Sequence, residues 1–136
     1  MIRLNNKGQS LVLFILVIPI ILGIMALVID LGNSLTKKNE IDKNIEFVLD
    51  YYLNDNKQEN EYLENDNSID TNSLKVLLEY NLKDIDTTIN TDNEVIIIKA
   101  KTYVEGIFSK ILNIKGFRIV SEYKGYLESE TYEKIK

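Results

Sequence analysis

Cysteine, histidine and tryptophan are all absent from the 136 residues, and proline occurs once. Without cysteine there is no disulfide, no thiol nucleophile and no thiolate metal site. Without histidine there is no imidazole to serve as a general base near neutral pH. The sequence has no G-x-S-x-G elbow, no P-loop and no zinc-ligand spacing. Carboxylates are plentiful, at 21 Asp and Glu, so a carboxylate pair stays chemically available. Acids are equally expected on solvated loops and strand faces. The sequence therefore points away from an enzyme. It gives no reason to expect a cofactor, a metal or a small-molecule substrate.

Charge is missing from one stretch altogether. Leu11 to Ile29 is 19 residues with no ionisable side chain. At about 1.5 Å of rise per residue this makes roughly 28 Å of helix, close to the ~30 Å of bilayer hydrocarbon. Pro19 and Gly23 interrupt the run, and both types are more frequent in membrane helices than in soluble ones. Acids are missing from the residues before it, which carry Arg3 and Lys7. From Leu31 onward there are 14 Lys and Arg against 20 Asp and Glu, a net charge of −6. The positive-inside tendency then predicts a cytoplasmic leader over 1–9, a transmembrane helix over 10–30 and an extracytoplasmic domain over 31–136. Lys37 and Lys38 run against this tendency, but long domains translocate largely regardless of charge. An acidic outer domain also lacks the basic stripe that nucleic-acid binding requires. A cleaved secretory signal fits poorly, because the apolar run is too long and no A-x-A-like site follows it. A plain single-pass anchor accounts for the run but leaves Lys7-Gly8-Gln9-Ser10 without a purpose.

Beyond the run, Leu31, Leu35, Ile41, Ile45, Val48, Leu49 and Tyr52 recur near a 3.6-residue period, with Lys37, Lys38, Glu40, Lys43 and Glu46 on other faces. This predicts an amphipathic helix over 31–53. It either continues the membrane helix or hinges from it at Gly32-Asn33. Asp30, at the edge of the run, is expected to reach interfacial water, or to cap the second helix if the chain breaks there. Residues 54–72 hold few apolar side chains and predict an acidic loop. Its closest calcium-loop frame, Asp66, Ser68 and Asp70, has Thr71 where glycine is needed and Leu77 where a bidentate Glu is needed. A solvated loop is the better expectation. Leu74, Leu77, Leu78 and Leu82 predict a short helix over 73–83, capped by Asn72 or Ser73.

The period then changes to two. Ile85, Thr87 and Ile89 alternate with polar residues. Val95 to Val104 places Ile96, Ile98, Ala100 and Val104 on one face, and Phe117 to Leu127 alternates as well. This predicts a three-stranded antiparallel sheet over 85–128 with one wet face. Its apolar face is expected to pack on the amphipathic helix. Ile107, Phe108, Ile111, Leu112 and Ile114 form an apolar helical turn closed by Gly116, either capping the core or exposed as a contact patch. The fold class is α+β: a long N-terminal helix on a small sheet with short helices.

Three stretches carry a family likeness. Gly8-Gln9-Ser10-Leu11-Val12-Leu13-Phe14-Ile15-Leu16-Val17-Ile18-Pro19 resembles the "G-Q-A-L-V-E-F-A-L-V-L-P" start of TadE/TadG-like pilus-assembly proteins of the tight-adherence (Flp) type IV pilus system. Ile29-Asp30-Leu31-Gly32-Asn33 resembles that family's "V-D-L-G-R" at the outer membrane face. Tyr103 to Ile119 is similar to its strand, apolar "F-F-x-x-x-L-G-I" turn and second strand. The middle, about 53–84, has no counterpart. The resemblance implies a pilin-like fold and cleavage after Gly8 by a prepilin peptidase, leaving Gln9 as the new N-terminus. It implies partners among membrane lipid, other pilins or pseudopilins and the Tad assembly platform. It implies roles in pilus assembly, secretion or adhesion. Leu13 stands where the family has a Glu, thought to meet the N-terminal amine of a neighbouring subunit. That departure implies a minor, priming or tip component rather than the shaft subunit. Phe14, Pro19, Gly23 and Ala26 would belong to the retained assembly helix, where small residues allow close helix approach. Asp30 and Gly32 would mark the outer membrane face.

Overall fold

A computed structural model describes residues 6–60, 71–92, 94–111 and 113–135. One helix, α1, spans Asn6–Asn60 without a break, 55 residues or about 80 Å at 1.5 Å per residue. The hinge at Gly32-Asn33 is therefore not used, and the helix also runs through Pro19. Proline has no N–H to bond the preceding turn, a loss that membrane helices tolerate. A second helix, α2, covers Thr71–Asn81. Four strands follow: β1 Asp86–Asp92, β2 Val95–Val104, β3 Phe117–Tyr126 and β4 Thr131–Lys134. They form one antiparallel meander in the order β1-β2-β3-β4.

The α+β class and the long helix on a small sheet agree with the sequence expectation, but the sheet has four strands rather than three. The extra one, Thr-Tyr-Glu-Lys, is a short edge strand with only Tyr132 turned partly inward, too brief to show an alternation. The predicted loop over 54–72 is also corrected at its start, since α1 continues to Asn60. Lys57, Gln58 and Glu59 are good helix formers, and no Gly or Pro intervenes. The frame at Asp66, Ser68 and Asp70 lies outside the described residues. Helix α2 starts and stops two residues earlier than predicted, so Asn72 and Ser73 sit inside its first turn. Its C-terminus is met from α1, where the Asn44 side-chain amide donates to the Asn81 carbonyl at 3.2 Å, satisfying one of the orphan carbonyls of a helix end.

The core lies between the sheet and one stripe of α1. Ile41, Ile45, Val48, Leu49 and Tyr52 from α1 meet Leu74, Leu78 and Leu82 from the α2 region and Ile96, Ile98, Ala100, Ile119 and Tyr123 from the sheet. Helix α1 runs parallel to β3 with matched steps: Asp42 reaches Ser121, Glu46 reaches Tyr123, and Leu49 lies against Gly125. Four helix residues rise about 6 Å and two strand residues about 6.6 Å, so the two elements keep pace.

Two members of the predicted stripe are on the wrong face. Leu31 is 49% exposed and Leu35 54% exposed. Asp30 and Ser34 occupy the buried positions there, at 1% and 5% exposure.

Candidate functional site

The chain presents two features that bear on function: a bare apolar helix and a polar clasp where that helix meets the domain. In the first, 15 large apolar side chains between Leu11 and Ile29 are exposed, and as far as Met25 every face of the segment is open. This helix is long and apolar enough to cross a membrane as a single pass. Gly8 and Gln9 lie exposed in its opening turns, and nothing approaches within 4 Å of a side chain built at Gly8. Leu13 and Phe14 are 63% and 62% exposed. Pro19 is exposed, and the space beside Gly23 is open. Ala26 is different. It is buried, and it begins the stripe that continues through Asp30 and Ser34 into the core.

Asp30 does not reach interfacial water, as its place in the sequence suggested. It turns inward and accepts three backbone N–H groups from the connection between β2 and β3. Ile107 donates to Oδ1 at 3.0 Å, and Phe108 and Ser109 donate to Oδ2 at 3.0 and 2.7 Å. Three successive amides converge on one carboxylate, as at a helix N-terminus, where free N–H groups gather negative charge. The segment beyond them is a series of tight turns, with Ile111 N–H bonding Phe108 C=O and Asn113 N–H bonding Lys110 C=O. It ends at Gly116, whose φ of 117° is open to glycine and strained for other residues. The Ser34 hydroxyl back-bonds to the Asp30 carbonyl at 3.0 Å. Gly32, by contrast, faces open space and takes no part.

Gly106 makes the clasp possible. A Cβ there would lie 2.2 Å from Asp30 Oδ2 and 2.2 Å from Ser109 Oγ, well inside contact distance. Ser109 is itself fully buried, and its hydroxyl has no hydrogen-bond partner among the described residues. Of the predicted site residues, the structure brings Ala26 and Asp30 onto one face and leaves Gly8, Gln9, Leu13, Phe14, Pro19 and Gly32 exposed among the described residues. Gly106, Ser109 and Ser34 were not anticipated. The available signal was Ser34 one helical turn after Asp30, a polar pair following an apolar run.

A second polar seam ties α1 to the outer strands. Asp42 accepts from Ser121 Oγ at 2.5 Å and pairs with Lys134 of β4. Tyr123 donates to Glu46 at 2.8 Å. Burial, then the bond to Glu46 and the nearby Asp42 and Glu46 charges, push the Tyr123 phenol well above the usual tyrosine range. On the surface, the Lys110 ammonium bonded to Glu105 at 2.5 Å holds that carboxyl below its usual value. Among the described residues no three acidic side chains come together to hold a metal ion.

Comparison with family models, with curated proteins and with solved structures finds no match to this chain.

Proposed function

We propose that this protein is a minor, pseudopilin-like component of a tight-adherence (Flp-type) pilus assembly system. It acts in priming, at the tip or in assembly rather than as the shaft subunit. The N-terminus lies in the cytoplasm, the apolar half of α1 crosses the membrane, and the α+β domain lies outside. A prepilin peptidase cuts between Gly8 and Gln9. The helix stays as the anchor and packs on sibling helices, with Gly23, beside which the space is open, letting backbones approach, while Ala26 is already covered by the chain's own domain. The outer domain supplies the contacts that start or end a fibre.

The observation that carries this reading is the unbroken α1. One helix joins bare apolar surface to the spine of a small domain, so a force or displacement in the membrane reaches the domain through a single rigid element. The exposed Gly8 and Gln9 fit a site that an enzyme must grip. N-terminal sequencing and intact mass of the membrane-extracted chain, expressed with a prepilin peptidase, test it. A chain starting at Gln9 supports the proposal. An intact Met1, with normal function in a Gly8→Ala variant, overturns the processing step.

Leu13 favours a second reading. An apolar residue, 63% exposed, stands where an acid would meet the new N-terminal amine. A buried amine without a partner is costly. An unprocessed single-pass envelope protein with a small extracellular interaction domain has no such amine to satisfy.

A further inference from the structure

Three isoleucines on the connection between β2 and β3 are exposed in a way the fold does not explain: Ile107 at 71%, Ile111 at 79% and Ile114 at 42%. Their position along the helix is fixed. The amides of residues 107–109 are bonded to Asp30, the first residue after the charge-free run. Burial on that face of α1 already begins at Ala26, about 6 Å further into the apolar segment at 1.5 Å per residue. The strands give the same level. From Asp42 back to Asp30 the helix drops about 18 Å, whereas β3 drops only about 13 Å from Ser121 to Phe117. The connection therefore extends past the end of the sheet toward the membrane segment. Its charge also departs from that of its domain. Residues 105–116 hold Lys110 and Lys115 against Glu105 alone, a net +1, and Arg118 follows at the start of β3, within a region of net −6.

We infer that this connection is a second membrane contact. Ile107, Ile111 and Ile114 enter the boundary between headgroups and acyl chains, and Lys115 and Arg118 meet anionic lipid phosphates, while Lys110 is paired with Glu105. The inference rests on the membrane span of α1. Exposed apolar side chains ringed by cations at an interface follow the pattern of peripheral membrane anchors. Asp30 then has a mechanical role. It fixes the height of the connection on the helix, so the domain stands on the bilayer at two points and is held at a set tilt.

The absence of native cysteine makes the test direct. Single variants Ile111→Cys, Leu16→Cys and Tyr80→Cys of the full chain are labelled with an environment-sensitive fluorophore. They are then reconstituted into mixed phosphatidylcholine and phosphatidylglycerol vesicles. Tyr80 is 76% exposed on α2, near the level of Asn44 and so about 20 Å beyond Asp30. Lipids brominated near the headgroup should quench the label at position 111 several-fold more than the label at position 80. Lipids brominated deep in the chains should quench position 16. If position 16 is quenched but position 111 behaves like position 80, or is shielded from both lipid and aqueous iodide, the second contact is wrong and the span stands. If position 16 is not quenched, the span fails and takes this inference with it.

Discussion

The two halves of α1 share one backbone and one helical period, yet they bury opposite amounts. Between Leu11 and Met25 the large apolar side chains are exposed on every face, with Ile15 65% and Leu16 65% open. Between Ile41 and Leu53 a single stripe is shut away, with Ile45 and Leu49 at 0%. The difference lies in what each half uses as solvent. Each exposed Leu or Ile left in water forgoes about 1.5–3 kcal/mol of burial. Fifteen exposed large apolar side chains within 19 residues make water an unfavourable home and lipid a favourable one. The second half satisfies the same demand with protein. At the join the usual polarity inverts: acid and hydroxyl face inward at Asp30 and Ser34, while Leu31 and Leu35 face outward.

The sharpest way to break this contrast is to truncate one isoleucine in each half. Ile45→Ala removes a fully buried side chain from the main cluster and is expected to cost about 2–5 kcal/mol. Ile15→Ala should leave the domain within about 0.5 kcal/mol of wild type. Chemical denaturation of the full chain in detergent, followed by near-ultraviolet dichroism of the domain tyrosines, reads both. Equal losses would mean that the two halves are not energetically separate.

The join is tested next. Asn in place of Asp30 keeps one acceptor oxygen, so at least one of the three N–H donors loses its partner. Asp30→Asn should therefore cost about 1–3 kcal/mol. Gly106→Ala should cost a similar amount, about 1–3 kcal/mol, because its Cβ overlaps Asp30 and Ser109. In both variants the amides of residues 107–109 should exchange with deuterium faster, while those of β2 keep wild-type protection. Unchanged exchange at residues 107–109 would show that the clasp does not hold the connection.

The outer seam gives a pH-dependent counterpart. Because the Tyr123 phenol is pushed up in the fold, the folded state favours its protonated form. That stabilisation is complete below the ordinary tyrosine value of about 10 and is lost as pH rises above it. Tyr123→Phe should cost about 1 kcal/mol at neutral pH through the lost bond to Glu46. It should also flatten the alkaline fall in melting temperature. Parallel alkaline limbs in the two proteins would assign that fall to other groups.

Much of this architecture was legible in the residues, and the exceptions have physical causes. Alternation in Ile96, Ile98 and Ala100 marked the buried face of β2 because a half-wet strand must alternate. The apolar run and the Leu74–Leu78 face were equally plain. Leu31 and Leu35 misled because periodicity assumes that apolar side chains face the core, and here Asp30 and Ser34 take the inward positions instead. Asp30 was misplaced because its partners lie 77–79 residues away in the chain, and backbone amides leave no mark in the sequence. Strand β4 escaped notice because four residues on an edge need only one inward side chain.

The smallest expected effect is also the one that best defines the join. Gly32 lies between the two halves, in helical conformation, with open space where a side chain would stand. Glycine inside a helix costs about 1 kcal/mol relative to alanine, mainly through the freedom it loses on folding. Gly32→Ala should therefore stabilise the chain by up to about 1 kcal/mol in detergent melts and lengthen hydrogen-exchange protection across 28–36. The opposite result would be more informative. A loss of stability, or faster exchange on the Asp30 side of the join, would mean that the chain draws on glycine's freedom to bend there. The bare apolar and domain-facing halves would then be separate helices coupled through the Asp30 clasp rather than through a continuous backbone.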